Sequence, residues 1–301
     1  MLQARTGAGH TPTLPTVSST QVPRNARPAS SLRALLCVAL FLSGCAGQMS
    51  SDAPHARGAV PAATPAGDAF RPLFDGRTLA GWRGDTALWS VEDGAITGQT
   101  AVALAENTFL IHEGDFADFE IRLKYRFSTT VGNSGLQYRS RLDNERSFSV
   151  IGYQANIVTQ DADRTFAMLW EERARELLAR CGERVVVVDS SDAASKGFER
   201  RNAGALASCD TIRAAARPYP EWNDYTIVAH RNRLVHILNG SVTLDVTDND
   251  GDGRAMSGFF ALQIHRGLAM RVQLKDIEVR ALTSPPQWNA RFGVPDSVLP
   301  P

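Results

Sequence analysis

The chain has 301 residues with equal numbers of acidic and basic side chains, 32 of each. A formal net charge of zero leaves no broad field to attract nucleic acid or an anionic lipid surface, so no nucleic-acid partner is expected, and a neutral, uncharged substrate suits that balance. The length admits one large all-β unit or two smaller ones.

At the start, Arg24, Arg27 and Arg33 precede an apolar run from Ala34 to Leu42 that is too short to span a bilayer and ends in Leu42-Ser43-Gly44-Cys45. A basic lead, an apolar centre and small residues before a cysteine read as a signal peptide with a lipobox over residues 1–45, in which Cys45 is the lipidated residue. Ala46, not aspartate, follows Cys45, which points to an exported protein held by its lipid anchor in the outer membrane, facing the periplasm or the cell surface. Residues 46–68 are rich in Ala, Pro, Gly and Ser and poor in large apolar side chains. They cannot bury enough surface to fold, and read as a disordered tether with an r.m.s. reach of roughly 25–30 Å.

Beyond the tether, period-2 alternation dominates over residues 69–283. In Phe119-Glu120-Ile121-Arg122-Leu123-Lys124-Tyr125-Arg126-Phe127 the odd positions are apolar and the even ones charged, which predicts a strand with one buried face. Further strands are expected at Trp89–Ile96, Leu136–Ser140, Ile151–Ile157, Val185–Val188, Tyr225–Ala229, Leu234–Leu238, Val242–Val246, Phe259–His265 and Met270–Val279. Asp93-Gly94, Gly132-Asn133, Asn239-Gly240 and Asp250-Gly251 supply turns between them. Leu169–Arg180 alone has helical spacing, with Leu169, Arg173, Leu177 and Arg180 in phase. Many strands, hairpin turns and one short helix predict an all-β, antiparallel two-sheet sandwich. Of the four cysteines, Cys37 leaves with the signal and Cys45 takes the lipid, so Cys181 and Cys209 are expected to form a disulfide that staples the aperiodic stretch Ser190–Arg217. The tail 284–301 is proline-rich, although Trp288 and Phe292 suggest that it packs before ending.

Several motifs then fall in a telling order: Phe74-Asp75-Gly76-Arg77-Thr78-Leu79-Ala80-Gly81-Trp82, Trp89-Ser90-Val91-Glu92-Asp93-Gly94, Asn133-Ser134-Gly135-Leu136-Gln137-Tyr138-Arg139, Gly152-Tyr153-Gln154-Ala155-Asn156, Leu169-Trp170-Glu171-Glu172, Glu221-Trp222-Asn223-Asp224-Tyr225 and Gly258-Phe259-Phe260-Ala261-Leu262-Gln263-Ile264-His265. Their order and spacing resemble the 3-keto-disaccharide hydrolase family from about Phe74 to Leu282. The resemblance implies a concanavalin- or laminin-G-like jelly roll acting on sugars whose C3 hydroxyl has been oxidised to a ketone. It also implies a functional link to a sugar 3-dehydrogenase that would make the ketone.

Strand parity adds a site. If Phe119, Ile121 and Leu123 face the core, Glu120 and Lys124 face out, and the same parity turns out Gln137 and Arg139, Gln154 and Asn156, and Gln263 and His265. Four strands are therefore expected to offer one concave polar wall to an oligosaccharide or glycoside, whereas Arg122 and Arg126 read as solvated surface charges. A 3-ketone acidifies the C2 proton and places the glycosidic oxygen beta to the carbonyl, so elimination followed by hydration can replace direct hydrolysis, and release before hydration would make the enzyme a lyase. Glu120 or His265 is the expected base, Arg139 the expected stabiliser of enolate charge or holder of hydroxyls, and Glu172 the proton donor to the leaving oxygen. Lys124, Asn133, Gln137, Tyr153, Gln154, Asn156, Arg175 and Gln263 are the expected substrate contacts. Asn156 stands where the resembling branch has aspartate, and a carboxamide can neither take a proton nor offer charge to a divalent ion. That keeps an alternative open: a surface lipoprotein that binds carbohydrate without cleaving it. Finally, Asp248-Asn249-Asp250-Gly251-Asp252-Gly253 resembles the first half of a calcium loop, with Asp248, Asp250 and Asp252 as ligands, although the twelfth position is Phe259 and not glutamate. No other cofactor is implied.

Overall fold

The alternating segment Phe119–Phe127 forms one nine-residue strand whose apolar members are all buried. A strand of this pattern needs a second layer against its apolar face, and the rest of the chain supplies it. The structure is a computed structural model that describes residues 69–159, 164–192 and 197–297. The expected signal peptide, Cys45 and the tether lie outside the described residues.

In chain order the strands are β1 (Arg71–Pro72), β2 (Trp82–Arg83), β3 (Trp89–Glu92), β4 (Ala95–Gln99), β5 (Thr108–His112) and β6 (Phe119–Phe127). Next come β7 (Asn133–Asn144), β8 (Ser149–Val158), β9 (Leu169–Glu172), β10 (Glu176–Ala179), β11 (Glu183–Asp189) and β12 (Phe198–Ala205). Helix α1 (Cys209–Ala215) precedes β13 (Asn223–His230), β14 (Arg233–Leu238), β15 (Ser241–Asp248), β16 (Phe259–Ile264) and β17 (Arg271–Ala281), and α2 (Trp288–Phe292) follows.

One sheet of ten strands runs β12-β11-β15-β14-β13-β6-β17-β4-β3, with β1 beside β17, and a second of seven runs β10-β9-β8-β7-β16-β5-β2. The β11–β15 pair is parallel; the pairs that flank the site, β7–β8, β8–β9 and β16–β7, are antiparallel. The inner faces meet in one apolar cluster that joins Ile121 and Tyr125 to Leu136, Ala155 and Leu262. Phe119 of the larger sheet stands edge-on to Tyr138 and Phe260 of the smaller, at 6.0 and 4.8 Å between ring centres.

The outer faces are covered unequally. On the larger sheet, Trp288 and Val294 of the tail close over Val228, Val235 and Ile237. On the smaller, Leu142 and Phe148 from the β7–β8 hairpin pack on Phe109, Ile111, Val150, Phe259 and Ala261. The remainder of that face stays open, and the site lies there.

The helix expected over Leu169–Arg180 is instead the β9–β10 hairpin, with Arg173 and Glu176 at φ of 55° and 68° in its turn. Helical spacing loses here because β8 offers β9 a full ladder, and because Arg175 is drawn inward to Glu171 of the preceding strand and to Asp248. The stretch expected to be aperiodic contains β12 and α1, and Ser208 caps α1 by accepting a hydrogen bond from the Thr211 N–H at 3.2 Å. Cys181 and Cys209 are disulfide-bonded across 28 residues, tying the start of α1 to the turn before β11. Among the described residues no helix is long and apolar enough to cross a membrane.

Candidate active site

Tyr153, Ala155 and Ile157 enter the core, which turns Gln154 and Asn156 of β8 outward. Gln137 of β7 lies opposite Gln154, and Gly135 opposite Asn156. A Cβ on Gly135 would come within 2.5 Å of the Gln154 side chain, so glycine there is what allows that amide to lie across β7. Gln154 Nε2 donates to Asn156 Oδ1 at 2.8 Å and to Gln263 Oε1 of β16 at 3.3 Å, and the Gln137 amide lies 2.8 Å from Gln154 Oε1. Ser134 Oγ locks β7 to β16 by donating to the Gln263 carbonyl at 2.7 Å. The result is a floor of carboxamides, without formal charge, beneath a cleft of about 740 Å³.

Two groups in this cleft lack partners. Gln263 Nε2 and Asn133 Oδ1 are buried yet make no hydrogen bond among the described residues. An unpaired buried amide costs about 1–3 kcal/mol, so a donor and an acceptor left in one cleft favour a ligand that can both give and take hydrogen bonds. A sugar hydroxyl does both.

Strand β9 forms one wall. Leu169 and Glu171 point inward, while Met168, Trp170 and Glu172 line the cleft. Asn107 holds this wall to the next, donating from Nδ2 to Glu172 Oε1 at 2.9 Å and accepting on Oδ1 from the Arg266 N–H at 2.9 Å. Opposite stands His265, just past β16. Its Nδ1 makes a short contact with the Arg266 carbonyl, which can only accept, so the proton sits on Nδ1, and Nε2, which then carries the lone pair, has no hydrogen-bond partner among the described residues. Burial lowers the His265 pKa; the Arg266 carbonyl and the Glu172 charge pull the other way and lose, so the ring is held below the ordinary histidine value and is neutral at pH 7.

Asn133, Gln154, Asn156, Glu172, Gln263 and His265 thus converge, with Gln137 beneath them. Other expected members do not. Glu120 and Lys124 belong to β6, which lies in the other sheet, so their outward face is the opposite side of the sandwich. There Glu120 is closed off by Arg122, Arg280 and Arg291 at 2.8, 2.6 and 2.8 Å, and Lys124 pairs with Asp276 at 3.2 Å. Arg139 sits at a bulge with φ of 47°, which breaks the parity of β7. Its guanidinium donates to the carbonyls of Ala117 and Ala255 and to Asp118, at 2.9, 3.2 and 3.2 Å, and lines no part of the cleft. Tyr153 faces the core, stacked on Tyr138 and donating to Asp248 Oδ2 at 2.6 Å.

Arg175 is buried with Glu171, Asp248 and Asp250, at 2.6, 2.7 and 2.8 Å. It is therefore no substrate contact, and it also decides the calcium loop. Two of the three expected ligands already hold a guanidinium, the third, Asp252, is exposed, and no cluster of metal-binding residues occurs among the described residues. The cation that those carboxylates need is part of the chain.

Trp170, Asn107 and Arg266 line the cleft although sequence reasoning did not select them. The alternation Met168-Trp170-Glu172 against Leu169-Glu171 carried the signal for Trp170, once the segment is taken as a strand.

A family described as 3-keto-alpha-glucoside-1,2-lyase-like domain matches residues 69–280. A 3-keto-disaccharide hydrolase of Bacteroides thetaiotaomicron is 24% identical over 190 residues, which are 59% of this chain and 58% of that protein. The chain thus matches little more than half the length of that relative. Among solved structures, a proposed glycosyl hydrolase of Parabacteroides distasonis superposes with a TM-score of 0.47 at 18% identity, covering 71% of this chain and 94% of its own. The carbohydrate binding module CBM66 from Bacillus subtilis does so with a TM-score of 0.42 at 14% identity, covering 67% and 96%. By the match over residues 69–280, this chain belongs to the 3-keto-alpha-glucoside-1,2-lyase-like domain family.

Proposed function

We propose that the domain cleaves 3-keto-glycosides by elimination across C1 and C2. The observation that carries this reading is the neutral His265, with its Nε2 free, above a floor whose Gln263 donor is unpaired. His265 Nε2 takes the C2 proton, and the C2–H electron pair becomes an enolate with its charge on the C3 oxygen. In place of the expected Arg139, Gln263 Nε2 is the donor placed to hold that oxygen. The enolate then re-forms the C3 carbonyl, a C1–C2 double bond appears, and the C1–O bond breaks, the leaving oxygen being protonated from the His265–Glu172 side. Water adding at C1, with a proton returned to C2, completes a net hydrolysis; release before that step makes the reaction a lyase.

Purified protein incubated with matched 3-keto and unoxidised disaccharides, with and without chelator, should release products only from the 3-keto members. Products from the unoxidised sugars, or none from either, would sink the reading. A carbohydrate-binding module without catalysis is the second reading, favoured by Asn156, whose amide is consumed by Gln154 and the Thr165 carbonyl and has no proton-accepting role left. We further propose that the enzyme works from a lipid anchor at Cys45, beside the outer membrane, on sugars oxidised by a 3-dehydrogenase. The basis for the anchor is the lipobox and neighbouring residues alone, and for the dehydrogenase the C3 ketone that the proposed substrate must already carry. Palmitate labelling of the wild-type precursor and of Cys45→Ala tests the anchor, and label retained by the variant would overturn it.

A further inference from the structure

Beyond His265 the cleft continues into a second hollow of about 340 Å³ that shares Asn133, His265 and Arg266 with it. The chemistry changes across that shared wall. The main cleft is floored by carboxamides, whereas the second hollow is closed by Val131, Leu268 and Met270. Val131 and Leu268 stand 49% and 72% exposed at its rim. A single exposed leucine is ordinary, but two large apolar side chains bordering a hollow that opens onto the candidate base form a patch of the kind that meets a ligand. Its volume is at the lower end of small-ligand sites, about 300–1,000 Å³, which suits one ring. A second sugar there would set several hydroxyls against aliphatic walls, with Thr130 and Thr159 the only hydroxyl side chains among the described residues lining the hollow to answer them.

Building on the proposed cleavage, we propose that this hollow is the aglycone subsite and that the substrates are 3-keto-glycosides of an apolar, ring-sized alcohol or phenol. The oxidised sugar lies in the polar cleft over Gln263 and beside Trp170. The C1 substituent passes His265 and the unpaired Asn133 Oδ1, and the apolar ring rests on Leu268 and Met270.

The test compares kcat/KM for benzyl 3-keto-glucoside and a 3-keto-disaccharide, in wild type and in Leu268→Asp. Benzyl alcohol is a poorer leaving group than a sugar hydroxyl, so a preference for the benzyl glycoside cannot come from reactivity. The wild type is expected to favour the benzyl substrate by about tenfold or more, and Leu268→Asp to remove most of that preference while the disaccharide changes less than about threefold. Val131→Ser, also at an exposed position, repeats the test without a new charge. Equal turnover of both substrates by the wild type, or an equal loss on both in the variants, overturns the inference. If neither substrate is cleaved, the cleavage reading fails by itself, and the subsite is then judged by calorimetry with the same benzyl glycoside. Binding weakened by Leu268→Asp supports the subsite, and unchanged binding overturns it.

Discussion

Glu120 and Gln263 hold equivalent positions: each points away from the sandwich core on an interior strand, and neither is exposed. Around Glu120 the chain has gathered three arginines, one of them from α2, and every carboxylate oxygen is engaged. Around Gln263 it has gathered other neutral amides and left one donor unpaired beside an open cleft. A buried polar group whose partners are complete serves the fold, while one whose partners are incomplete marks where a ligand belongs. The same contrast separates Arg175, saturated by three carboxylates, from His265, which lines the cleft and whose Nδ1 alone is engaged among the described residues.

The comparison breaks most sharply at His265. Replacing it by alanine should lower kcat/KM on a 3-keto-glycoside by about 100- to 10,000-fold while Tm stays near wild type, since the ring stands at the cleft wall outside the apolar clusters of the core. In the wild type the base form is lost as pH falls, so kcat/KM should be flat at neutral pH and drop on the acid side, below the ordinary histidine value of about 6.5. An acid limb that persists unchanged in His265→Gln would assign it to another group.

Glu120→Ala should do the reverse: a loss of about 3 kcal/mol in chemical denaturation, from three guanidinium groups left without their carboxylate, with kcat/KM of the folded enzyme unchanged. Burial by itself would raise the Glu120 pKa, but the hydrogen bonds from Arg280, Arg291 and Arg122 together outweigh it and hold it below the ordinary value. Its contribution is therefore fully present above about pH 4.3, the unfolded value, and is lost as pH falls toward the depressed one. The stability gap between wild type and Glu120→Ala should narrow on acidification.

Asn156→Asp tests whether the carboxamide is structural. Asn156 Nδ2 donates to the Thr165 carbonyl at 2.6 Å, so a carboxylate would set two acceptors against each other at a cost of about 1–3 kcal/mol. Thermal melts should show the penalty at pH 7 and its relief at low pH, where a protonated carboxyl can donate again. The smallest effect on stability is expected from Gln263→Leu. Only one 3.3 Å bond is lost, so Tm should move by no more than a few degrees, whereas affinity for a sugar ligand by calorimetry should fall about 5- to 10-fold. A large drop in Tm with intact binding would move Gln263 to the structural side of the comparison.

Parity along single strands was legible, because side-chain alternation is a property of the local backbone: Phe119–Phe127, Gln154 with Asn156, and Gln263 with His265 all face as their pattern predicts. Parity failed only where the backbone departs from a regular strand, at Arg139, whose positive φ turns it out of register. The misread of Leu169–Arg180 has a different origin. Four residues at helical spacing carry a weak preference, and the ladder with β8 together with the buried Arg175 cluster overrides it, hiding Trp170 from the site.

The sequence by itself determined the sandwich class, the Cys181–Cys209 pair and the family, since alternation, cysteine count and ordered motifs can all be read along the chain. Only the tertiary structure decided which outward faces share a wall. It placed β6 in one sheet and β7, β8, β9 and β16 in the other, which separates Glu120 from His265, and it set Arg175 between the aspartates of the expected calcium loop. Sheet membership rests on long-range hydrogen bonding and on the partners that buried charges find, and neither leaves a trace in the spacing of residues along a single strand.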